Sequence, residues 1–326
     1  MPVMTRSFAI THTGGAEQFE AHDAALTDPA PGEIRLRQRA IGLNFIDIYH
    51  RTGLYPVALP AVLGIEAAGI IEAIGAGVEH LAVGDRVAYA GELGAYAEAR
   101  NLPAWRAVRV PASLTDAEAA TALARGIAAH MLQTEVFAVG AATTALVHSA
   151  AGGLGSLLVR GAKLRGAVVI ATVGSAAKAA IARAHGADHV IVGRDADFAA
   201  EVRALTGGRG VDVAYDGVGG TTLARTLACV RPFGTVASFG QAAGPIPPIA
   251  VEDLGPRRSL VLARPSVMHY MADPATYRRA AAAVVDAALG SSLGPSLGRS
   301  YRLADLAAAH RDLEAGATTG SAYLVP

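Results

Sequence analysis

A strand-like run that breaks into a cluster of small residues and continues as a helix constrains this chain more than any other feature. In Thr144-Ala-Leu-Val-His-Ser-Ala-Ala-Gly-Gly-Leu-Gly-Ser156, the apolar run Ala145, Leu146, Val147 leads into a turn built from Ala and Gly. Leu157, Leu158, Val159, Ala162 and Leu164 then follow as an apolar helical pattern. Ala150, Gly152 and Gly155 stand at the three positions of a G-x-G-x-x-G turn, with Ala replacing the first Gly. Small residues there allow a tight turn, close approach of a pyrophosphate, and packing of the helix on the sheet. Gly153 and Leu154 complete the turn, where the free amides of a helix start attract phosphate.

Short apolar runs alternate with helical patterns downstream. Strands are expected at Ala167–Val173, Asp188–Val192, Val211–Tyr215, Thr235–Phe239 and Ser259–Ala263, and helices at Ala176–His185, Phe198–Leu205 and Leu223–Val230. This order predicts an α/β fold, a doubly wound parallel sheet of the Rossmann kind covered on both faces. Gly217, in Tyr215-Asp-Gly-Val-Gly-Gly220, and Phe239, Gly240 and Gln241 fall at C-terminal strand ends, where such sheets bind ligands. Those glycines either line the ligand or merely end strands.

The end of the second strand discriminates between cofactors. An NAD site carries an acidic residue about 20 residues beyond the turn to hold the ribose 2′-hydroxyl. Thr172-Val-Gly-Ser-Ala-Ala-Lys178 has none. Gly174, Ser175 and Lys178 would accept a 2′-phosphate, and Arg194 adds a second positive charge. Lys178 is one of only two lysines in the chain. It marks either this site or a solvated helix face; NADPH is favoured over NADH.

Lys+Arg and Asp+Glu balance at 28 each, so no general field recruits nucleic acid or an acidic membrane. No apolar stretch is long enough to span a bilayer, and Met1-Pro-Val-Met-Thr-Arg-Ser7 has no signal-peptide core, so a cytoplasmic protein is expected. The one cysteine, Cys229, excludes an intrachain disulfide and a Cys-based zinc site, and is read as a small buried apolar residue. The ten histidines show no close metal-ligand spacing. His148 either packs inside or reaches a phosphate; packing is favoured.

The N-terminal part reads as β-rich. Glu33–Ala40 alternates apolar and charged residues, Gly64–Gly77 is rich in glycine and β-branched residues, and Gly84-Asp-Arg-Val87 marks a turn before a strand. Pro111–Ala129 is expected to be helical, as are Thr276–Leu289 and Leu303–Leu313. A last strand, Ser321–Val325, is too short to stand alone and is expected to return to the first domain.

The whole chain resembles the medium-chain dehydrogenase/reductase superfamily, specifically its zinc-free quinone oxidoreductases of the zeta-crystallin group. The likeness rests on Asn44-Phe-Ile-Asp-Ile-Tyr-His-Arg-Thr-Gly-Leu-Tyr55, Leu63-Gly-Ile-Glu-Ala-Ala-Gly69, the Ala150–Gly155 turn and Arg264-Pro-Ser266. Zinc-dependent relatives place Cys near Asn44 and His at Ile65, so neither ligand is present. The resemblance implies a GroES-like catalytic domain (1–126 and 265–326) and a nucleotide domain (127–264). It also implies a homodimer joined by nucleotide-domain edge strands, with the Thr235–Ala263 region as the candidate contact. Arg264 and Ser266 resemble the segment that holds the nicotinamide, and a phosphate or carboxamide is the expected partner of Arg264. Two positions depart from the family pattern. Gly193 replaces a tyrosine that lines the adenosine phosphate, and Ala128 replaces a threonine near the nicotinamide.

A site without zinc lacks a Lewis acid, so it suits easily reduced acceptors that need only hydrogen-bond donors at the carbonyl. Asn44, Tyr49, Arg51 and Tyr55 are such donors on one segment. The resemblance puts Asn44 and Tyr55 closest to the substrate, with Tyr49 or Tyr55 on the acceptor oxygen and Asp47 holding local structure. His50 is read as surface decoration. The leading expectation is an NADPH-dependent quinone reductase working in a metal-free interdomain cleft. Two alternatives stand beside it. One is reduction of the C=C bond of an enal, enone or enoyl thioester. The other is a weakly catalytic NADPH-binding protein of structural or RNA-binding use, against which the absence of a basic cluster argues.

Overall fold

The alternating run Glu33–Ala40 forms the spine of a β-rich unit in the computed structural model, which describes residues 3–256, 258–289 and 293–326. This unit opens with β1 (Val3–Ile10), β2 (Glu20–Leu26), β3 (Glu33–Gly42), α1 (Phe45–Arg51) and β4 (Ala61–Val62). It continues with β5 (Glu66–Ile74), β6 (Arg86–Ala90), β7 (Ala99–Pro103) and β8 (Val108–Arg109). β3 pairs antiparallel with β5 and with β7, while β1 sits between β2 and β4 in a smaller sheet. Ile34 and Leu36 on β3 are fully buried beside Leu43, Leu63, Tyr89 and Tyr96. The alternation is not clean. Arg35 is buried too, its Nη2 donating to the Thr27 carbonyl at 2.6 Å, which satisfies the charge inside the unit.

Helix α2 (Asp116–Met131) begins five residues later than the expectation from Pro111. Thr115 sets the start. Its Oγ1 accepts from the Glu118 amide at 3.2 Å, and Glu118 Oε2 accepts from the Thr115 amide at 2.8 Å, a reciprocal capping box.

Beyond α2 the chain alternates. In order come β9 (Thr144–Val147), α3 (Gly153–Leu164), β10 (Val168–Val173), α4 (Ala176–Ala184), β11 (His189–Val192) and α5 (Phe198–Leu205). Then follow β12 (Val211–Asp216), α6 (Thr222–Leu227), β13 (Val230–Ser238), α7 (Val251–Leu254), β14 (Val261–Ala263) and α8 (Val267–Tyr270). All strand pairs in this sheet are parallel, in the order β11-β10-β9-β12-β13-β14. That is the doubly wound order with its switch point between β9 and β12.

Two boundaries differ from expectation here. The helix expected over Leu223–Val230 ends at Leu227, and Val230 already belongs to β13, paired with Val211. Arg231-Pro-Phe-Gly234 hid the strand because it is irregular: Phe233 takes φ +61° and its amide donates to the Ser259 carbonyl at 2.7 Å. Ser259, itself at φ +53°, stands outside β14 for the same reason.

The chain then completes the first unit with α9 (Pro274–Leu289), β15 (Leu297–Arg302), α10 (Leu306–Glu314) and β16 (Ser321–Val325). β16 pairs with β3, placing Tyr323 opposite Gly42 and Leu324 opposite Ile41, so the final strand does return. The chain divides into two compact units, Met1–Ile127 with Met268–Pro326, and Ala128–Val267. No helix among the described residues is long and apolar enough to cross a membrane.

Candidate active site

The nucleotide turn is held open by its own backbone. Ser149 adopts φ +53°, the Ala150 amide donates to the Thr172 carbonyl on β10 at 3.2 Å, and the Gly152 amide donates back to the Ser149 carbonyl at 2.9 Å. A Cβ on Gly155 would lie 2.2 Å from the Ser149 carbonyl oxygen, so only glycine permits this approach of α3 to the turn. Gly152 caps α3, and the first bond within this helix start runs from the Ser156 amide to the Gly152 carbonyl at 2.9 Å. The amides of Gly153 and Leu154 precede it, which is the arrangement that receives an anion. Ala150, in the first fingerprint position, is fully buried.

At the end of β10 the expected phosphate residues converge. Ser175 caps α4 by accepting from the Lys178 amide at 3.4 Å. The Cγ and Nε atoms of Arg194 lie 3.6 Å from where a Cβ on Gly174 would stand. Partial burial and then the charge of Arg194 lower the Lys178 pKa. Their separation in sequence is closed because β10 and β11 are neighbours, joined by Val173 opposite Val192. Arg194 against Gly174 and a lysine within its field, without an acidic residue between Thr172 and Lys178, fit a phosphate better than a free hydroxyl.

The loops after β12 and β13 lean on each other. A Cβ on Gly217 would meet the Phe239 ring at 2.6 Å, and one on Gly240 would meet the Gly217 carbonyl oxygen at 2.6 Å. The Phe239 amide donates to the Asp216 carbonyl at 2.9 Å. These glycines therefore allow one loop to lie against another and do more than end strands. Gln241 continues the second loop, and a Cβ on Gly219 would meet its backbone. Arg264, just past β14, is also held within the chain. Its Nη1 donates to Ser238 Oγ at 2.9 Å and to the carbonyls of Ser238 and Gly240 at 3.2 Å, bracing the end of β13. Ser266 follows two residues on.

A buried chain beneath these loops escaped the sequence reading. His148 Nδ1 lies 2.8 Å from Thr172 Oγ1, and its Nε2 lies 3.0 Å from Thr226 Oγ1. Thr226 donates to Asp216 Oδ2 at 2.9 Å, and Asp216 Oδ1 accepts from the amides of Val218 and Gly219 at 2.8 and 2.9 Å. His148 thus packs inside; burial lowers its pKa, which keeps the imidazole neutral. Cys229 is fully buried and its thiol is pushed up to about 12 by burial.

The first unit holds the other group of expected residues on α1 and the turn after it. Asn44 and Asp47 start the helix: the Asn44 amide donates to Asp47 Oδ2 at 2.8 Å. Tyr49 and Tyr55 stack edge to face, with ring centroids 5.1 Å apart, and the Tyr55 amide donates to the Tyr49 carbonyl at 3.0 Å. His50 is not surface decoration. It is 7% exposed, its ring 6.2 Å from that of Tyr55, and burial lowers its pKa. Arg51 is 1% exposed and donates to Glu314 Oε1 at 2.5 Å.

Four further groups support α1. Glu66 is fully buried and accepts from Asn44 Nδ2 at 2.9 Å and from Arg125 Nη1 at 3.0 Å. Tyr96 donates to Asp47 Oδ2 at 2.8 Å and lies 2.9 Å from His310 Nε2. Burial raises Asp47 to about 7 against the pull of its hydrogen bonds, and lowers His310 to about 3 with help from Arg51. The one sequence signal for Glu66 was an acid inside the apolar run Leu63–Gly69. Among the described residues, no group of three or more His, Cys, Asp or Glu side chains is arranged to hold a metal ion.

Two family models match: an alcohol dehydrogenase GroES-like domain over residues 30–112 and a zinc-binding dehydrogenase domain over residues 153–286. A 2-haloacrylate reductase from a Burkholderia species is 39% identical over 99% of each chain. A quinone oxidoreductase from Pseudomonas aeruginosa is 38% identical over 99% of this chain and 100% of its own. The Escherichia coli quinone oxidoreductase solved in complex with NADPH superposes with a TM-score of 0.94 at 36% identity, covering 98% of this chain and 100% of that one. The small-residue turn, the cation pair at the end of β10 and these full-length matches agree: the chain belongs to the quinone oxidoreductases of the medium-chain dehydrogenase/reductase superfamily.

Proposed function

We propose that this chain is an NADPH-dependent quinone reductase. The observation that carries the reading is Arg194 lying against Gly174, with Ser175 capping the helix that carries Lys178 and the Arg194 charge acting on Lys178, at the strand end where a carboxylate would otherwise select NADH. The relative solved with NADPH supports the same cofactor, and the tight turn at Gly155 suits a dinucleotide. When bound, the reduced nicotinamide supplies a hydride equivalent.

The chain's own residues then divide the work. Gly152, Gly153 and Leu154 offer amides to the pyrophosphate, with Ala150 beneath them; Gly174, Ser175, Lys178 and Arg194 hold the 2′-phosphate. Gly217, Phe239, Gly240, Gln241, Arg264 and Ser266 shape the seat of the nicotinamide. Asn44, Tyr49 and Tyr55 donate hydrogen bonds to the acceptor oxygen as it gains negative charge.

The Burkholderia relative's name points to a second acceptor class, unsaturated acids. On the α1 side, the nearby cations are already engaged: Arg51 is 1% exposed on Glu314, and Arg125 is 9% exposed on Glu66. A substrate carboxylate finds no accessible partner among them, so a neutral quinone is the better fit. Steady-state NADPH oxidation with 1,4-benzoquinone, 9,10-phenanthrenequinone and a 2-alkenal tests the reading. Tight NADPH binding without quinone turnover would overturn it.

We further infer a cytoplasmic homodimer. β14 is the edge of the parallel sheet, and Val261 on it and Phe233 beside it are 52% and 78% exposed, apolar surface suited to a second copy. A light-scattering mass equal to one 33.1 kDa chain would refute it.

A further inference from the structure

Glu66 lies where no acceptor or cofactor group has been placed, yet it is the most completely engaged carboxylate in the first unit. It opens β5 at 0% exposure. Its Oε1 accepts from Asn44 Nδ2 at 2.9 Å and from Arg125 Nη1 at 3.0 Å, and its Oε2 accepts from the Ala124 amide at 2.9 Å. Arg125 also donates through Nη2 to the Leu43 carbonyl, one residue before Asn44. Gly42 leaves the room: a Cβ there would stand 2.3 Å from Glu66 Oε1.

A buried ion pair of this kind is weak grounds for stability, since well-packed apolar residues serve as well. Its geometry does something an apolar pair cannot. A carboxamide has a donor end and an acceptor end of nearly equal shape, and a rotation about its last bond exchanges them. An ionised carboxylate only accepts, so it binds the –NH₂ end of Asn44 and repels the oxygen end. With one hydrogen held by Glu66, the second Nδ2 hydrogen has a fixed direction. Asn44 itself is only partly buried, so that hydrogen has room to meet a ligand.

We propose that Glu66, paired with Arg125 and seated against Gly42, is a positioning residue that fixes the Asn44 carboxamide with its donor end toward the acceptor. This rests on the reading of Asn44 as a donor to the acceptor oxygen. Burial raises the Glu66 pKa, and Arg125, Asn44 and the Ala124 amide each pull against it.

The test is a set of variants of the full chain assayed with NADPH and 9,10-phenanthrenequinone, alongside NADPH binding followed by cofactor fluorescence. Asn44→Ala should lower kcat by about hundredfold to thousandfold, the range for loss of one oxyanion donor, and Glu66→Gln, which misdirects that donor, should lower it by no more than Asn44→Ala. NADPH affinity should stay within about twofold of the parent. The double variant should fall no further than Asn44→Ala alone, because a residue that acts only through Asn44 has nothing left to position. Independent, multiplying losses would overturn the proposal, as would unchanged kcat in Glu66→Gln or in Asn44→Ala.

Should Glu66→Gln fail to fold, Gly42→Ala displaces the carboxylate without removing a charge, and it should produce the same kcat loss with NADPH binding kept. Full activity in a folded Gly42→Ala chain would equally overturn the role. Absence of quinone turnover in the parent chain would instead remove the quinone-reductase reading itself, a result separate from all of these.

Discussion

Tyr96 and Asp47 are joined by a 2.8 Å hydrogen bond between two fully buried side chains, and the same phenol lies 2.9 Å from His310 Nε2. Asp47 and His310 are thus tied through one hydroxyl while burial pushes their pKa values in opposite directions.

Their effects on stability oppose each other. Asp47 rises from 3.8 to about 7, so it favours the folded state below 3.8 and loses that contribution as pH rises through about 7. His310 falls from 6.5 to about 3, so its contribution is complete above 6.5 and is lost as pH falls toward about 3. Between roughly pH 4 and 6.5 the two slopes cancel. His310→Gln should therefore unmask stability that declines as pH rises, and Asp47→Asn stability that declines as pH falls. Each slope should be at most about 1.4 kcal/mol per pH unit. Calorimetric Tm across this range decides it, and identical profiles in all three proteins would contradict the buried linkage.

Gly155→Ala should weaken NADPH binding and destabilise the second unit by about 1–3 kcal/mol, because the new methyl would meet the Ser149 carbonyl at 2.2 Å. Gly152→Ala meets the same oxygen at 3.3 Å and should be milder. Denaturant melts with and without NADPH separate the two effects; equal behaviour of the variants would show that the close approach of α3 does not matter.

Lys178→Glu should raise the KM for NADPH by about tenfold to hundredfold while leaving that for NADH nearly unchanged, since only the phosphorylated ribose meets the reversed charge. Parallel loss with both cofactors would place Lys178 away from the phosphate.

Tyr55→Phe keeps the ring that packs on Tyr49 and removes only the hydroxyl. A fall in kcat of about tenfold or more with quinone, at unchanged NADPH affinity, is expected. Unaltered turnover would move the donor role to Tyr49 or Asn44.

The parallel sheet was legible because its strands are short apolar runs buried on both faces, flanked by helices with a clear apolar side. β13 was misread at its start, where Pro232 and Gly234 mask strand pairing that only β12 and Ser259 reveal. The convergence of Lys178 and Arg194 could be expected once β10 and β11 were adjacent. The links among Glu66, Arg125, Tyr96 and His310 could not, because each pairs with a residue far away in sequence and none repeats with a helical or strand period. His50 shows the same limit: beside Arg51 it reads as polar surface, yet the Tyr55 ring covers it.

The pairing of Ile41 with Leu324 has a consequence for synthesis. The stretch Ala128–Val267 is contiguous and leaves the ribosome with all six of its strands. The first unit must instead wait with the Ile41–Gly42 edge of β3 uncovered until β16 has been translated. An open edge of that kind invites pairing with other chains. Premature termination that removes β16 should therefore yield polypeptide prone to aggregate through its β-rich half while the inserted half still captures dinucleotide.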